Sequence, residues 1–139
     1  MKTLKWENFS HDADIGIRGF GKTMEEAFAT AVLALTAVVT DPHNVSPQIK
    51  LNLKCEEADA ELLFFDWINT VIYEMDTKNL VFADARVHIK NSVLEGELWG
   101  EIVTPEKHDP ATEIKGATMT ELKVGKINGG WIAQCVVDV

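Results

Sequence analysis

Two aspartates, a histidine and the far end of the chain supply the residues whose types and spacing carry chemistry. In H-D-A-D-I-G-I-R-G-F-G, from His11 to Gly21, Asp12 and Asp14 stand two apart beside His11, and glycines follow at Gly16, Gly19 and Gly21. Side chains alternate along an extended chain. A strand here therefore turns Ile15 and Ile17 to one face and Asp12, Asp14, Gly16 and Arg18 to the other. At the other end Asp138 is penultimate, one residue from the terminal carboxylate of Val139. If the last strand lies near the first, Asp14, Asp138 and the terminus converge. Three oxygen donors with few soft ligands suit a hard divalent cation: calcium, magnesium or manganese. The same residues also fit a plain strand end with solvated aspartates, and pattern alone does not choose.

Other chemistries find little support. G-x-S-x-G is absent, Ser10 is only a sequence neighbour of His11, and neither Cys55 nor Cys135 has an identifiable base. Gly16, Gly19 and Gly21 miss the dinucleotide-binding spacing, and there is no P-loop. His43, His88 and His108 lack H-E-x-x-H spacing and read as surface or structural residues. A metal-dependent hydrolase built on His11, Asp12 and Asp14 lacks a convincing general base and pocket.

Composition narrows the partners. The 139 residues carry 13 Lys and Arg against 22 Asp and Glu, a formal charge of −9. Proteins that grip phosphates carry a basic face, so strong direct binding of nucleic acid is not expected. Acidic surfaces favour solubility, cations or a basic protein partner. Two cysteines without C-x-x-C make neither a disulfide framework nor a thiolate metal site. The opening M-K-T-L-K-W-E has no apolar core of signal type, and no run reaches membrane-spanning length. A cytoplasmic protein, with no membrane contact, is the expectation.

The elements that must position these residues are legible in outline. Residues 4–20 read as two short strands joined near Ser10–His11, or one bent strand. Thr23 and Glu26 form a capping-box pair, and Met24, Ala27, Phe28, Ala31, Leu35 and Val38 recur at helical spacing until Asp41–Pro42. Alternation from Gln48 to Cys55 predicts a half-buried strand, and Asp59 caps a second helix running to about Asp76. That helix is apolar on most sides, so it is buried or presents an extra face to a partner, around Phe64 and Trp67. Strands follow over 81–89 and 93–102, turning at Asn91–Ser92. A polar connection over 105–110 leads into 114–124, and Asn128–Gly129–Gly130 turns the chain into a last strand from Trp131. In that strand Trp131, Ala133, Cys135 and Val137 share one face, and Ile132, Gln134, Val136 and Asp138 the other. One α+β domain over residues 1–139, a largely antiparallel sheet packed with two main helices, accounts for this order.

The combination resembles the archease family. The likeness is carried by W-E-N-F-S-H-D-A-D-I-G-I-R-G-F-G (Trp6 to Gly21), T-M-E-E-A-F (Thr23 to Phe28), A-E-L-L-F-F-D-W-I-N (Ala60 to Asn69), K-H-D-P-A-T-E-I-K-G-A-T (Lys107 to Thr118) and the closing W-I-A-Q-C-V-V-D-V. These matches run in order along nearly the whole chain. The resemblance implies a strand–helix–strand–strand module interrupted by a second such module. It implies a non-catalytic activator of the GTP-dependent 3′-phosphate tRNA-splicing RNA ligase, which promotes guanylylation of that enzyme and multiple turnover in tRNA splicing or RNA repair. GTP is then bound by the partner ligase and not by this chain. The resemblance also implies a metal site of Asp14, Asp138 and Val139, the last through backbone or terminal oxygens, with calcium the favoured ion. Asp12 and His11 are possible additional members. A chaperone-like protein-binding module is the alternative function.

The chain departs from the family pattern in two places. Relatives commonly read D-H-T-A-D where Ser10, His11 and Asp12 lead to Asp14 here. The segment often written K-A-x-T-Y-H is K-G-A-T-M-T, so an aromatic and a histidine are replaced by Met119 and Thr120. Lys115 and Thr118 remain, and Lys115 is a candidate contact with the partner.

Overall fold

The computed structural model describes residues 5–139. Leu4, the first residue of the predicted strand region, lies outside them. Strands β1 (Trp6–His11) and β2 (Asp14–Gly21) form an antiparallel hairpin, and helix α1 (Met24–Val39) follows. Then come β3 (Ile49–Glu56), α2 (Ala60–Lys78), β4 (Leu80–Lys90) and β5 (Val93–Ile102). A one-turn helix α3 (Pro105–His108) leads to β6 (Gly116–Ala117), β7 (Lys123–Ile127) and β8 (Gly130–Asp138).

Two antiparallel sheets result. In the first, the order is β1-β2-β8-β6, with β7 also pairing β8; in the second it is β3-β5-β4. The contiguous run β3-α2-β4-β5 is thus a strand–helix–strand–strand module inserted between α1 and the strands that complete the first sheet. The fold is α+β, as the order of elements predicts.

Helix α1 begins where its cap places it: the Thr23 hydroxyl accepts from the Glu26 amide at 3.1 Å, satisfying one of the orphan donors of the first turn. The helix lies between the sheets. On one side β2 presses against it, and on the other the Thr36 hydroxyl donates to the Phe82 carbonyl of β4 at 2.8 Å. Asp59 caps α2, and Asn79 ends it in the left-handed region. The broad apolarity of α2 is explained by burial. Phe64 and Trp67 are fully enclosed, Phe64 edge-on to Phe28, while Tyr73 is the large apolar side chain of this helix left well exposed.

One expectation needs correction, and two stretches carry structure that the spacing left open. The His11–Gly21 stretch is not continuous strand: it turns at Asp12–Ala13, with Asp12 in the left-handed region at φ 52°. A two-residue hairpin loop asks for positive φ, which aspartate tolerates better than most side chains. Asp12 therefore leaves the face that Asp14, Gly16 and Arg18 share. Residues 114–124 hold more than one element. Two residues pair as β6, the chain turns with Glu121 at φ 56°, and β7 starts at Lys123. Finally, the polar connection 105–110 contains α3, entered through Pro105, whose missing N–H costs nothing at a helix start.

Candidate metal centre

Register brings the two ends of the chain together. His11 pairs with Asp14 across β1 and β2, and Ile15 pairs with Val137 across β2 and β8. One step further along that ladder Asp14 falls level with Asp138, and Asp138 in turn pairs with Gly116 of β6. Residues opposite each other in an antiparallel ladder share a face. His11, Asp14, Asp138 and Gly116 thus make one row across the end of the first sheet, on the side away from α1.

Hydrogen bonds hold the row. The Val139 amide donates to Asp14 Oδ1 at 3.3 Å, and the Lys115 amide donates to the Asp138 carbonyl at 2.8 Å. The side-chain oxygen of Asn69, reaching from α2, accepts from the Ala117 amide at 2.9 Å and so docks β6 in place. Two rows along the same face, Arg18 donates to Gln134 at 2.7 Å and to Glu7, while its guanidinium lies 4.4 Å from the centroid of Phe9. That set ties β1, β2 and β8 together. Gly16 sits under the Phe9 ring, whose nearest carbon would be 2.2 Å from any Cβ there; the close approach requires glycine.

Asp14 is half-buried and Asp138 exposed. Asp12 stands at the hairpin tip with 94% of its side chain accessible, 3.9 Å from His11 Nδ1. Lys115 is exposed beside the row. Among the described residues no three His, Cys, Asp or Glu side chains group closely enough to hold a metal ion. A cation here would draw on the two carboxylates of Asp14 and Asp138 together with oxygens of Val139. That donor set is all oxygen, which suits a hard divalent ion. Both cysteines are buried, and burial pushes the Cys135 thiol up to about 12 and raises that of Cys55.

A second polar cluster carries no signal in the sequence. Glu101 accepts from Lys107 Nζ at 2.8 Å, the Ser46 amide at 2.9 Å and His108 Nε2 at 2.9 Å. His108, 3% exposed, takes the Thr104 amide on Nδ1 at 2.9 Å, which leaves the proton on Nε2 for Glu101. These donors, Lys107 first and the Ser46 amide next, hold the Glu101 carboxyl down to about 2. A depressed carboxyl stabilises the fold fully above its ordinary value of 4.5 and loses that contribution as pH falls from there toward 2. Glu101→Gln is accordingly expected to cost about 1–2 kcal/mol near neutrality, a charge-assisted bond discounted for partial solvent access. Urea titrations should show the gap to the parent closing as pH falls through 4 toward 2. A pH-independent gap would mean that the carboxylate charge is not the source.

Comparison with known proteins agrees with this architecture. Residues 6–139 match the model of the Archease protein family (MTH1598/TM1083). The protein archease of Pyrococcus furiosus is 36% identical over 140 residues, covering 97% of this chain and 99% of that one. The solution structure of protein 1598 of Methanobacterium thermoautotrophicum superimposes with a TM-score of 0.79 at 25% identity, over 97% of this chain and 99% of that chain. The crystal structure of an archease from Thermotoga maritima, described as a possible chaperone, shares the fold with a TM-score of 0.60 at 20% identity, over 100% of this chain and 98% of that chain. With its motifs in order from Trp6 to Val139 and its inserted module, this chain belongs to the archease family.

Proposed function

We propose that this chain is a non-catalytic activator of the GTP-dependent tRNA-splicing RNA ligase, promoting guanylylation of the ligase and its multiple turnover. The observation that carries the reading is the register that seats Asp14 beside Asp138 and hydrogen-bonds Asp14 to Val139. Asp14, Asp138 and oxygens of Val139 would hold a divalent cation, calcium by preference. Such an ion would offset the repulsion of paired carboxylates and pin the β1–β2 hairpin to the end of β8. The resulting acidic edge, with Lys115 at its side, docks against the ligase near its active site. The net charge of −9 fits a helper that touches the enzyme and leaves the RNA to it. The chaperone-like alternative is in line with the description of the Thermotoga maritima relative as a possible chaperone, but Phe64 and Trp67, the residues it looked to for an apolar surface, are buried. A hydrolytic reading needed Asp12 beside Asp14, and the hairpin turn separates them. No helix among the described residues is long and apolar enough to cross a membrane.

The test is ligase guanylylation and multiple-turnover joining with the parent chain, Asp14→Ala and Asp138→Ala. Each variant is expected to lower activation by about tenfold or more, the scale on which a metal site's supporting groups act. Calcium should also raise the melting temperature of the parent, by an amount equivalent to about 2.7 kcal/mol at a hundredfold excess over its dissociation constant. That shift should be absent in Asp14→Ala. Full activation by both folded variants would remove the site from the account.

A further inference from the structure

Sheet edges are where a β protein meets other chains, because half of an edge strand's amides and carbonyls have no ladder partner. Two of the edges here are blunted. Strand β6 has two residues, β4 carries a register shift between Phe82 and Asp84, and the Phe82 carbonyl is already taken by Thr36. Strand β3 is different. Among the described residues it pairs only with β5, in unbroken register from Ile49 to Glu56. Alongside it an open cleft of about 410 Å³ runs toward α2, lined by Lys54, Cys55, Glu56, Asp66, Thr70 and Tyr73, with Cys55 Sγ 3.6 Å from the Thr70 hydroxyl at its floor. Tyr73 there is 64% exposed and Ile49, at the start of the strand, 36%.

The direction of the free groups follows from the ladder. The Glu57 amide donates to the Ser92 carbonyl directly opposite it, so odd-numbered residues bond to β5. By alternation the amides and carbonyls of Lys50, Asn52, Lys54 and Glu56 point to the open edge. Their side chains all lie on the outer face of the sheet, while Leu51, Leu53 and Cys55 turn inward.

From this geometry we infer that β3 pairs antiparallel with β3 of a second copy of this chain, across a two-fold axis at Leu53. The two three-stranded sheets then become one of six strands. Charge selects the register. With the axis at Leu53, Lys50 stands opposite Glu56 of the other copy, Asn52 opposite Lys54, and Leu51 opposite Cys55. Moving the axis one residue pair toward Lys50 sets Lys50 against Lys54, and moving it the other way sets Lys54 against itself, both repulsive. An odd slip would place inward residues against outward ones. Glu56 has no ion pair of its own among the described residues, whereas Lys50 already holds Glu97 at 2.7 Å and would share its charge between the two carboxylates. The lysines thus act both as guards against wrong registers and as one half of the correct one. The interface is isologous, each patch meeting its own copy, and so closes as a dimer. With −9 on each copy, mutual repulsion weakens the dimer at low ionic strength.

The test is sedimentation equilibrium of the full chain from about 1 µM to about 500 µM in physiological salt, the range in which modest interfaces populate. A rise from 15.4 kDa toward twice that mass is expected. Glu56→Lys and Lys50→Glu should each remain monomeric, and mixing them should restore the dimer as a heterodimer, since each cation then faces an anion. Asn52→Pro, whose missing amide would have faced the open edge, should stay folded by circular dichroism and abolish the dimer. Hydrogen exchange on the parent supplies a reading that needs no variant: the amides of Lys50, Asn52, Lys54 and Glu56 should gain protection with concentration. A chain that stays monomeric throughout, or a dimer untouched by the charge swap, overturns the inference.

Discussion

Trp67→Ala is expected to lower the unfolding free energy by about 3–5 kcal/mol, the range for truncating a buried tryptophan, against about 5–15 kcal/mol for a whole domain. Trp67 is fully buried and its Nε1 donates to the Phe28 carbonyl of α1 at 3.1 Å. The ring lies on Gly96 of β5, close enough that a Cβ there would be 2.4 Å from it. One side chain therefore joins α2, α1 and the second sheet. Removing it leaves a cavity that three elements would have to shift together to close. The damage should extend beyond stability. Asn69, one helical half-turn further on, holds β6 through the Ala117 amide, and β6 is the strand paired with Asp138. Trp67→Phe, which keeps much of the ring and loses the donor, should cost clearly less. Urea unfolding of the parent and both variants decides the matter; equal midpoints for Trp67→Ala and the parent would mean that α2 is not anchored through this ring.

What can be read from the sequence divides along a physical line. Signals that live within one turn or one strand are legible. The Thr23–Glu26 cap and strand β5 with both its bounds follow from local spacing; β8 is found where the Asn128–Gly130 turn predicts, but both of its faces are buried, which alternation does not tell. The meeting of Asp14 with Asp138 is only conditional at that level, because register between strands more than a hundred residues apart leaves no periodic trace. Its support before coordinates is the family likeness. Alternation misplaces Asp12 because H-D-A-D reads equally well as strand or as hairpin tip, and only the pairing of His11 with Asp14 decides. The Glu101 cluster is invisible because Ser46 is remote from it in sequence and because the one-turn helix that folds Lys107 and His108 back onto Glu101 leaves no periodic trace. His108 carries no ligand spacing to betray it. The long apolar helix is ambiguous in sequence, since burial and partner contact demand the same residues.

Gly19 carries the other large effect, and it rests on backbone meeting backbone. A Cβ at this position would lie 2.2 Å from the Ala27 carbonyl oxygen, 2.5 Å from the Ala31 amide nitrogen and 2.8 Å from the Thr30 hydroxyl. Neither of the first two atoms can rotate away, so α1 itself would have to retreat. It has nowhere to go, because its opposite side is held to β4 by Thr36 and Phe82. Gly19→Ala is thus expected to cost about 3 kcal/mol or more, the upper end of the range for overpacking. Gly125 in β7 is the matched control, with nothing within 4 Å of a methyl placed there. Gly125→Ala should be neutral or gain about 0.5–1 kcal/mol, as a strand glycine relieved of its excess chain entropy. The contrast separates the loss of glycine as such from the contact at this one place. It also reaches the proposed metal centre. Strand β2 lies at a fixed depth only while α1 rests on Gly19, and that depth keeps Asp14 level with Asp138. At temperatures where Gly19→Ala is still folded, its response to calcium should fall along with its stability, while Gly125→Ala should respond as the parent does. Two alanine variants with the same melting temperature would show that α1 is free to move off β2.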